Sequence, residues 1–134
     1  MAAQDCRGCR VLVVEDETMI ALQILGILND LGCEVLGPVS RLDAALKLAQ
    51  EESLDAAILD VTIRGGQIFP VAELLLTRGV PFVIASGYGE MALPEALRGQ
   101  HRLRKPFTQS QLEDAVRAMC KPPARAEIQP DAGA

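Results

Sequence analysis

The sequence predicts an α/β fold, with one parallel sheet covered by helices on both faces. Three observations predict it. Short, nearly unbroken apolar runs recur along the chain, as strands buried on both faces require. Segments with helical spacing follow them. The alternation repeats five times within 134 residues, a length suited to one domain.

The first strand is "RVLVV", residues 10–14. Behind it Ile20, Ile24, Ile27, Leu28 and Leu31 share one helical face, and Gly32 supplies a stop. "EVLGPV" (34–39) reads as the second strand. Ser40 with Asp43 predicts a capping box, opening a helix whose stripe is Leu42, Ala45, Leu46 and Ala49. "AAILD" (56–60) is the third strand, ending in an acid, and "VTIRGGQ" reads as a loop. Val71, Leu74 and Leu75 predict a third helix, with Pro70 in its first turn and Gly79 at its end. "FVIAS" (82–86) is the fourth strand. Glycines and Pro94 limit "GYGEMALPEALRGQ" to a short or irregular helix. A brief fifth strand is expected around Leu103. Thr108 and Gln111 form a second capping-box signal before the stripe Leu112, Ala115, Val116 and Met119.

The length suits a flavodoxin-like five-stranded sheet of order 2-1-3-4-5, whereas a (β/α)8 barrel needs about 250 residues. Residues 1–9 read as an N-terminal extension and 10–120 as the folded domain. The Pro- and Ala-rich stretch 121–134 reads as a disordered or loosely held tail, with no output domain expected.

Hydrophobic residues make up 49% of the chain and aromatics 3%, so the core must be aliphatic. A formal net charge of -5 disfavours a broad nucleic-acid surface, and no DNA partner is expected. No window approaches the roughly 18–20 apolar residues of a membrane span, and no signal peptide is visible. A cytoplasmic protein with mostly reduced cysteines is therefore expected.

In an open α/β sheet, ligands bind beyond the carboxyl ends of the strands. Strand 1 ends in Glu15 and Asp16, strand 3 in Asp60, strand 4 in Ser86 and strand 5 in Lys105. Taken singly, each has a plain structural reading. The acid pair could cap a helix, Ser86 could cap or turn, and Lys105 could be a surface charge. Together they bring three carboxylates, a hydroxyl and an ammonium to one edge. Clustered acids repel and their pKa values rise unless a cation neutralises them. Mg2+, a hard oxygen-seeking ion, is the natural partner. A carboxylate beside Mg2+ and a lysine can attack a phosphoryl group to form an aspartyl phosphate.

With "VVEDE", "ILDVTIRGG", "VIASGYG" and "KPF" in order, each at a strand end, the chain resembles the receiver domain of two-component response regulators over residues 10–120. The resemblance implies that Asp60 is the phosphoacceptor. It implies that Glu15, Asp16, Asp60 and the backbone carbonyl of Thr62 hold Mg2+. It gives Ser86 the switch-hydroxyl role and Lys105 the phosphoryl contact, and it suggests a cis bond before Pro106. "RGVPFVIASGYGE" with "LPEAL" further resembles the stand-alone bacterial receivers of the FATGUY type.

One departure stands out. Receivers commonly carry a Tyr or Phe three residues before the lysine, where this chain has Arg102. FATGUY-type receivers also lack that aromatic. Tyr88, or rearrangement of the Gly87–Gly89 loop, is the candidate substitute. Arg102 and Arg104 read as a solvated edge and His101 as an exposed loop residue. Cys6 and Cys9 form a CxxC, and with Cys33 and Cys120 they should fall at the sheet edge opposite the acids. Free thiols in a mobile N-terminus and at ordinary surface positions are expected, with a zinc site or redox pair as the alternative.

The expected function is a single-domain response regulator rather than an enzyme. It would accept a phosphoryl group on Asp60 from a sensor histidine kinase or histidine phosphotransfer protein, and act through altered partner binding or as a phosphate sink. A monomer or weak homodimer is expected. The alternative is a small aspartyl-phosphate phosphatase of the haloacid dehalogenase type, although the second acid of that family's motif is Thr62 here.

Overall fold

The computed structural model describes residues 6–87, 94–97 and 99–120. Five strands form one parallel sheet: β1 (Arg10–Val14), β2 (Glu34–Val39), β3 (Ala56–Asp60), β6 (Phe82–Ser86) and β7 (Arg102–Arg104). Their order is β2-β1-β3-β6-β7. This is the expected 2-1-3-4-5 arrangement, renumbered because β4 (Thr62–Ile63) and β5 (Gly66–Gln67) intervene. Those two short strands pair antiparallel and replace the expected loop after Asp60. The correction has a local cause: Gly65 and Gly66 both take positive φ, which lets the chain reverse.

The apolar residues of each strand divide by their period of two. Val11, Val13, Ile58, Val83, Ala85 and Leu103 pack in one layer with residues of α1 (Thr18–Leu31) and α4 (Gln109–Met119). Leu12, Val14, Leu59 and Ile84 pack in the other with residues of α2 (Leu42–Glu51) and α3 (Phe69–Arg78). Both layers are mainly aliphatic, with Phe107 and three buried cysteines in the first and Phe82 and Phe69 in the second. α1 ends at Gly32 and α3 at Gly79, each in the left-handed conformation.

The capping box at Thr108 and Gln111 forms on both sides. The one expected at Ser40 and Asp43 does not, and Arg41 is the N-cap of α2 with no side-chain capping bond, its guanidinium instead pairing with Asp43 at 3.4 Å. Backbone pairing wins there: Leu42 N–H donates to Arg64 C=O at 2.8 Å, and Arg64 N–H to Ser40 C=O at 3.1 Å. The β4–β5 hairpin thus anchors the start of α2. In β2, a Cβ on Gly37 would sit 2.7 Å from Val13 O, so only glycine fits beside the end of β1. The segment expected to be a short helix contains a 3-10 turn at Glu95–Leu97. The tail 121–134 lies outside the described residues.

The cysteines require a correction. All four do lie at the edge opposite the acids, but Cys6, Cys9 and Cys33 are buried rather than mobile, and Cys9 is disulfide-bonded to Cys120. Cys6 N–H donates to Leu31 C=O and Gly8 N–H to Gly32 C=O, both at 3.0 Å, and these bonds fasten the CxxC turn to the end of α1. Among the described residues no helix is long and apolar enough to cross a membrane.

Candidate functional site

The sheet brings five of the expected side chains to one edge. Asp60 closes β3, a strand buried along its whole length, and is itself only 7% exposed. Glu15 follows β1 directly and is 3% exposed. Its backbone N–H donates to Val39 C=O at 3.0 Å, so β2 extends support to the loop carrying the acids. Glu15 Oε2 also accepts from Glu17 N–H at 3.1 Å, turning the chain into α1. Carboxylate oxygens of Glu15, Asp16 and Asp60 lie within 4.8 Å of one another.

Lys105 spans this group. Its Nζ is 3.1 Å from Asp60 Oδ1 and 3.0 Å from Glu15 Oε1. The peptide bond between Lys105 and Pro106 is cis, as expected, and a second cis bond joins Gly37 and Pro38. Lys105 N–H donates to Ser86 C=O at 2.8 Å, tying the lysine to the end of β6. Ser86 is buried there, with Oγ accepting from Arg102 Nη2 at 3.4 Å.

Burial, then the neighbouring Glu15 charge, pushes the Asp60 carboxyl up to about 6, and Lys105 only partly opposes them. For Lys105, burial works to lower the pKa, but the charges of Asp60 and Glu15 outweigh it and the net shift is upward. One ammonium thus faces three carboxylates. Glu15 Oε1 is buried and accepts no hydrogen bond among the described residues, despite the nearby Nζ. A surplus of negative charge, with Glu15 Oε1 held only by its ion pair to Lys105, fits a hard cation bound by oxygens.

Thr62 starts β4, two residues past Asp60. A cavity of about 330 Å3, lined in part by Glu15, Asp16, Ser40 and Arg64, opens beside the acids. Gly87 follows β6 directly, whereas Tyr88 and Gly89, the rest of the expected switch loop, lie outside the described residues. Arg102 is the residue whose place the sequence reading missed. Expected as a solvated edge, it is exposed overall, yet its guanidinium reaches the Ser86 hydroxyl. The signal was present in the register: Arg102 pairs with Ile84 and Arg104 with Ser86, which puts Arg102 on the same sheet face as Ser86.

No family model matches the chain. It is similar to SdrG from Sphingomonas melonis Fr1 at 37% identity, with a TM-score of 0.73 over 84% of this chain and 96% of that one. The BeF3-activated conformation of SdrG superposes with a TM-score of 0.68 at 36% identity, over 90% of this chain and 99% of that one. A response regulator receiver protein from Sinorhizobium medicae WSM419 is 26% identical, with a TM-score of 0.74 over 86% of this chain and 96% of that one. The transcriptional regulatory protein PdtaR of Mycobacterium tuberculosis is 31% identical over 111 residues, 80% of this chain and 54% of PdtaR. The chain thus spans about half the length of that curated relative.

Proposed function

The chain belongs to the response regulator receiver domains, and from that premise we propose that Asp60 accepts a phosphoryl group from a phosphohistidine on a sensor histidine kinase or histidine phosphotransfer protein. The observation that carries this reading is the Lys105 ammonium, which bridges Asp60 and Glu15 beside Asp16. Glu15, Asp16, Asp60 and the Thr62 carbonyl would hold Mg2+, which when bound offsets negative charge on the phosphoryl oxygens.

The chain's own residues supply the rest. An Asp60 oxygen forms the new bond to phosphorus as the phosphorus–nitrogen bond breaks. The electron pair leaves on the imidazole nitrogen, which is protonated by water. The step needs the Asp60 carboxylate, whose ionisation burial and Glu15 oppose and Lys105 favours. Lys105 fixes the carboxylate and is placed to meet a phosphoryl oxygen. The Ser86 hydroxyl, whose oxygen accepts from Arg102, can donate its proton to another phosphoryl oxygen. Leu22, exposed on α1, lines the cavity beside Glu15 and Asp16 and offers an apolar rim for a docking partner.

The output of such a domain is a change in partner binding, or removal of phosphate from a relay. The reading is tested by phosphotransfer from an autophosphorylated histidine kinase. The label is expected to move to this chain only with a divalent cation present. Labelling on histidine, or labelling that ignores the cation, would overturn it.

A further inference from the structure

The four cysteines of the chain converge at the end of the sheet remote from Asp60, and nothing in phosphoryl transfer uses them. They come from three separated places: the turn before β1, the corner between α1 and β2, and the end of α4. The sulfurs of Cys6, Cys33 and Cys120 lie within 4.8 Å of one another, and Cys9 is bonded to Cys120. We propose that Cys6, Cys9, Cys33 and Cys120 form a tetrathiolate site for a zinc ion, which binds once the Cys9–Cys120 bond is reduced.

The geometry carries this further than a disulfide alone does. A disulfide needs two sulfurs, and here two more stand against it. Zinc–sulfur bonds of about 2.3 Å place tetrahedral sulfurs about 3.8 Å apart, so the trio must close by about 1 Å at most. Cys6 and Cys9 have the C-x-x-C spacing of half a zinc site. Cys9 N–H donates to Cys6 C=O at 3.0 Å across a turn, and Gly8 adopts φ 79° within it, a conformation suited to glycine. Cys33 is set by its N–H bond to Leu28 C=O, and Cys9 C=O accepts from Glu34 N–H at 2.8 Å. Three ligand positions are thus held by backbone bonds before any ion arrives.

The surroundings favour a soft ion over water. Ile27, Leu31 and Met119 belong to the same apolar cluster as the cysteines. The chemistry balances. A dithiol gives two electrons and two protons to the Cys9–Cys120 bond and leaves as its own disulfide. Zinc then binds as the four thiols release up to four protons. The site would join the N-terminal turn to the end of α4 without drawing on the acidic edge.

The test uses the full chain, reduced anaerobically with a phosphine and titrated with Co2+. One equivalent is expected to give the absorption of tetrahedral cobalt with thiolate charge-transfer bands, displaced by one equivalent of Zn2+. Zinc should also protect all four thiols from alkylation. Cobalt held by carboxylates would lack those bands, so the outcome is independent of Asp60. Cys33→Ser and Cys120→Ser should each lose the four-sulfur spectrum. If either variant fails to fold, the wild-type spectrum and thiol protection decide. Reduced wild-type protein with no thiolate bands and four reactive thiols in the presence of zinc would overturn the proposal, as would an unchanged spectrum in both variants.

Discussion

Arg102 meets Ser86 across the last two strands of the sheet: its guanidinium donates to the Ser86 hydroxyl at 3.4 Å. Ser86 ends β6 and Arg102 opens β7, while Lys105 N–H bonds back to Ser86 C=O. An exposed arginine is thereby linked to the acidic pocket through one hydroxyl. A phosphoryl oxygen on Asp60 would accept the proton of that hydroxyl, and turning the hydroxyl towards it would re-aim the lone pair that Arg102 meets, giving β7 a means to respond although it lacks an aromatic. Arg102→Ala and Ser86→Ala should each shrink the phosphorylation-induced NMR shifts of Leu103 and Arg104. The double variant should add nothing further, since the two residues act through one contact. At 3.4 Å the contact is long, so folding stability should change by less than about 1 kcal/mol. Full-sized shifts in both single variants would exclude this relay.

Lys105 is the only cation within ion-pair distance of Asp60 among the described residues. Lys105→Ala should slow phosphorylation of Asp60 about a hundredfold, the scale of losing one aimed stabiliser of developing charge. Lys105→Arg should recover only part of the rate, because the planar guanidinium is larger and its donors are fixed in direction. Rates from acetyl phosphate measured with each variant check this, and a change below about threefold in Lys105→Ala would contradict the role.

The raised Asp60 pKa predicts a pH-dependent stability. Below about pH 4 the carboxyl is neutral in both folded and unfolded chains, and its full contribution is present. As pH rises through about 6 the buried group ionises, and that contribution is lost. Asp60→Asn removes the ionisation. In EDTA it should therefore stabilise the protein at pH 7–8 by an amount on the order of 2 kcal/mol, with the gain fading towards pH 4. Urea denaturation across this range reads the effect, and a gain that persists unchanged at pH 4 would count against its electrostatic origin.

A divalent cation should relieve the same repulsion. Mg2+ at 100 times its Kd should stabilise the wild-type fold by about 2.7 kcal/mol at pH 7–8. The benefit should fall below pH 6, where protons compete for Asp60, and should be much smaller in Asp16→Asn. Thermal denaturation with Mg2+ against EDTA measures it. An equal shift in Asp16→Asn would place the ion elsewhere.

The sheet was legible because its strands are buried on both faces and read as apolar runs. Helix stops at Gly32 and Gly79 were legible because left-handed ends favour glycine. The failures arose where tertiary contacts overrode local signals. Ser40 and Asp43 have the spacing of a capping box, but the Arg64 backbone takes the Ser40 carbonyl and the Leu42 amide. The hairpin after Asp60 has strands of two residues each, too short to show a period. The acids, Ser86 and Lys105 could be placed because strand ends share one edge. The reach of Arg102 needed the β6–β7 register, and the burial of the cysteines needed the packing of the N-terminal turn under α1 and α4.

Acetyl phosphate with Mg2+, followed by intact mass spectrometry of wild type and Asp60→Asn, tests the central claim most directly. Wild type should gain one phosphoryl group, lost on treatment with hydroxylamine as an acyl phosphate is, and Asp60→Asn should gain none. Equal gain by both proteins would contradict the assignment of Asp60 as the phosphoacceptor.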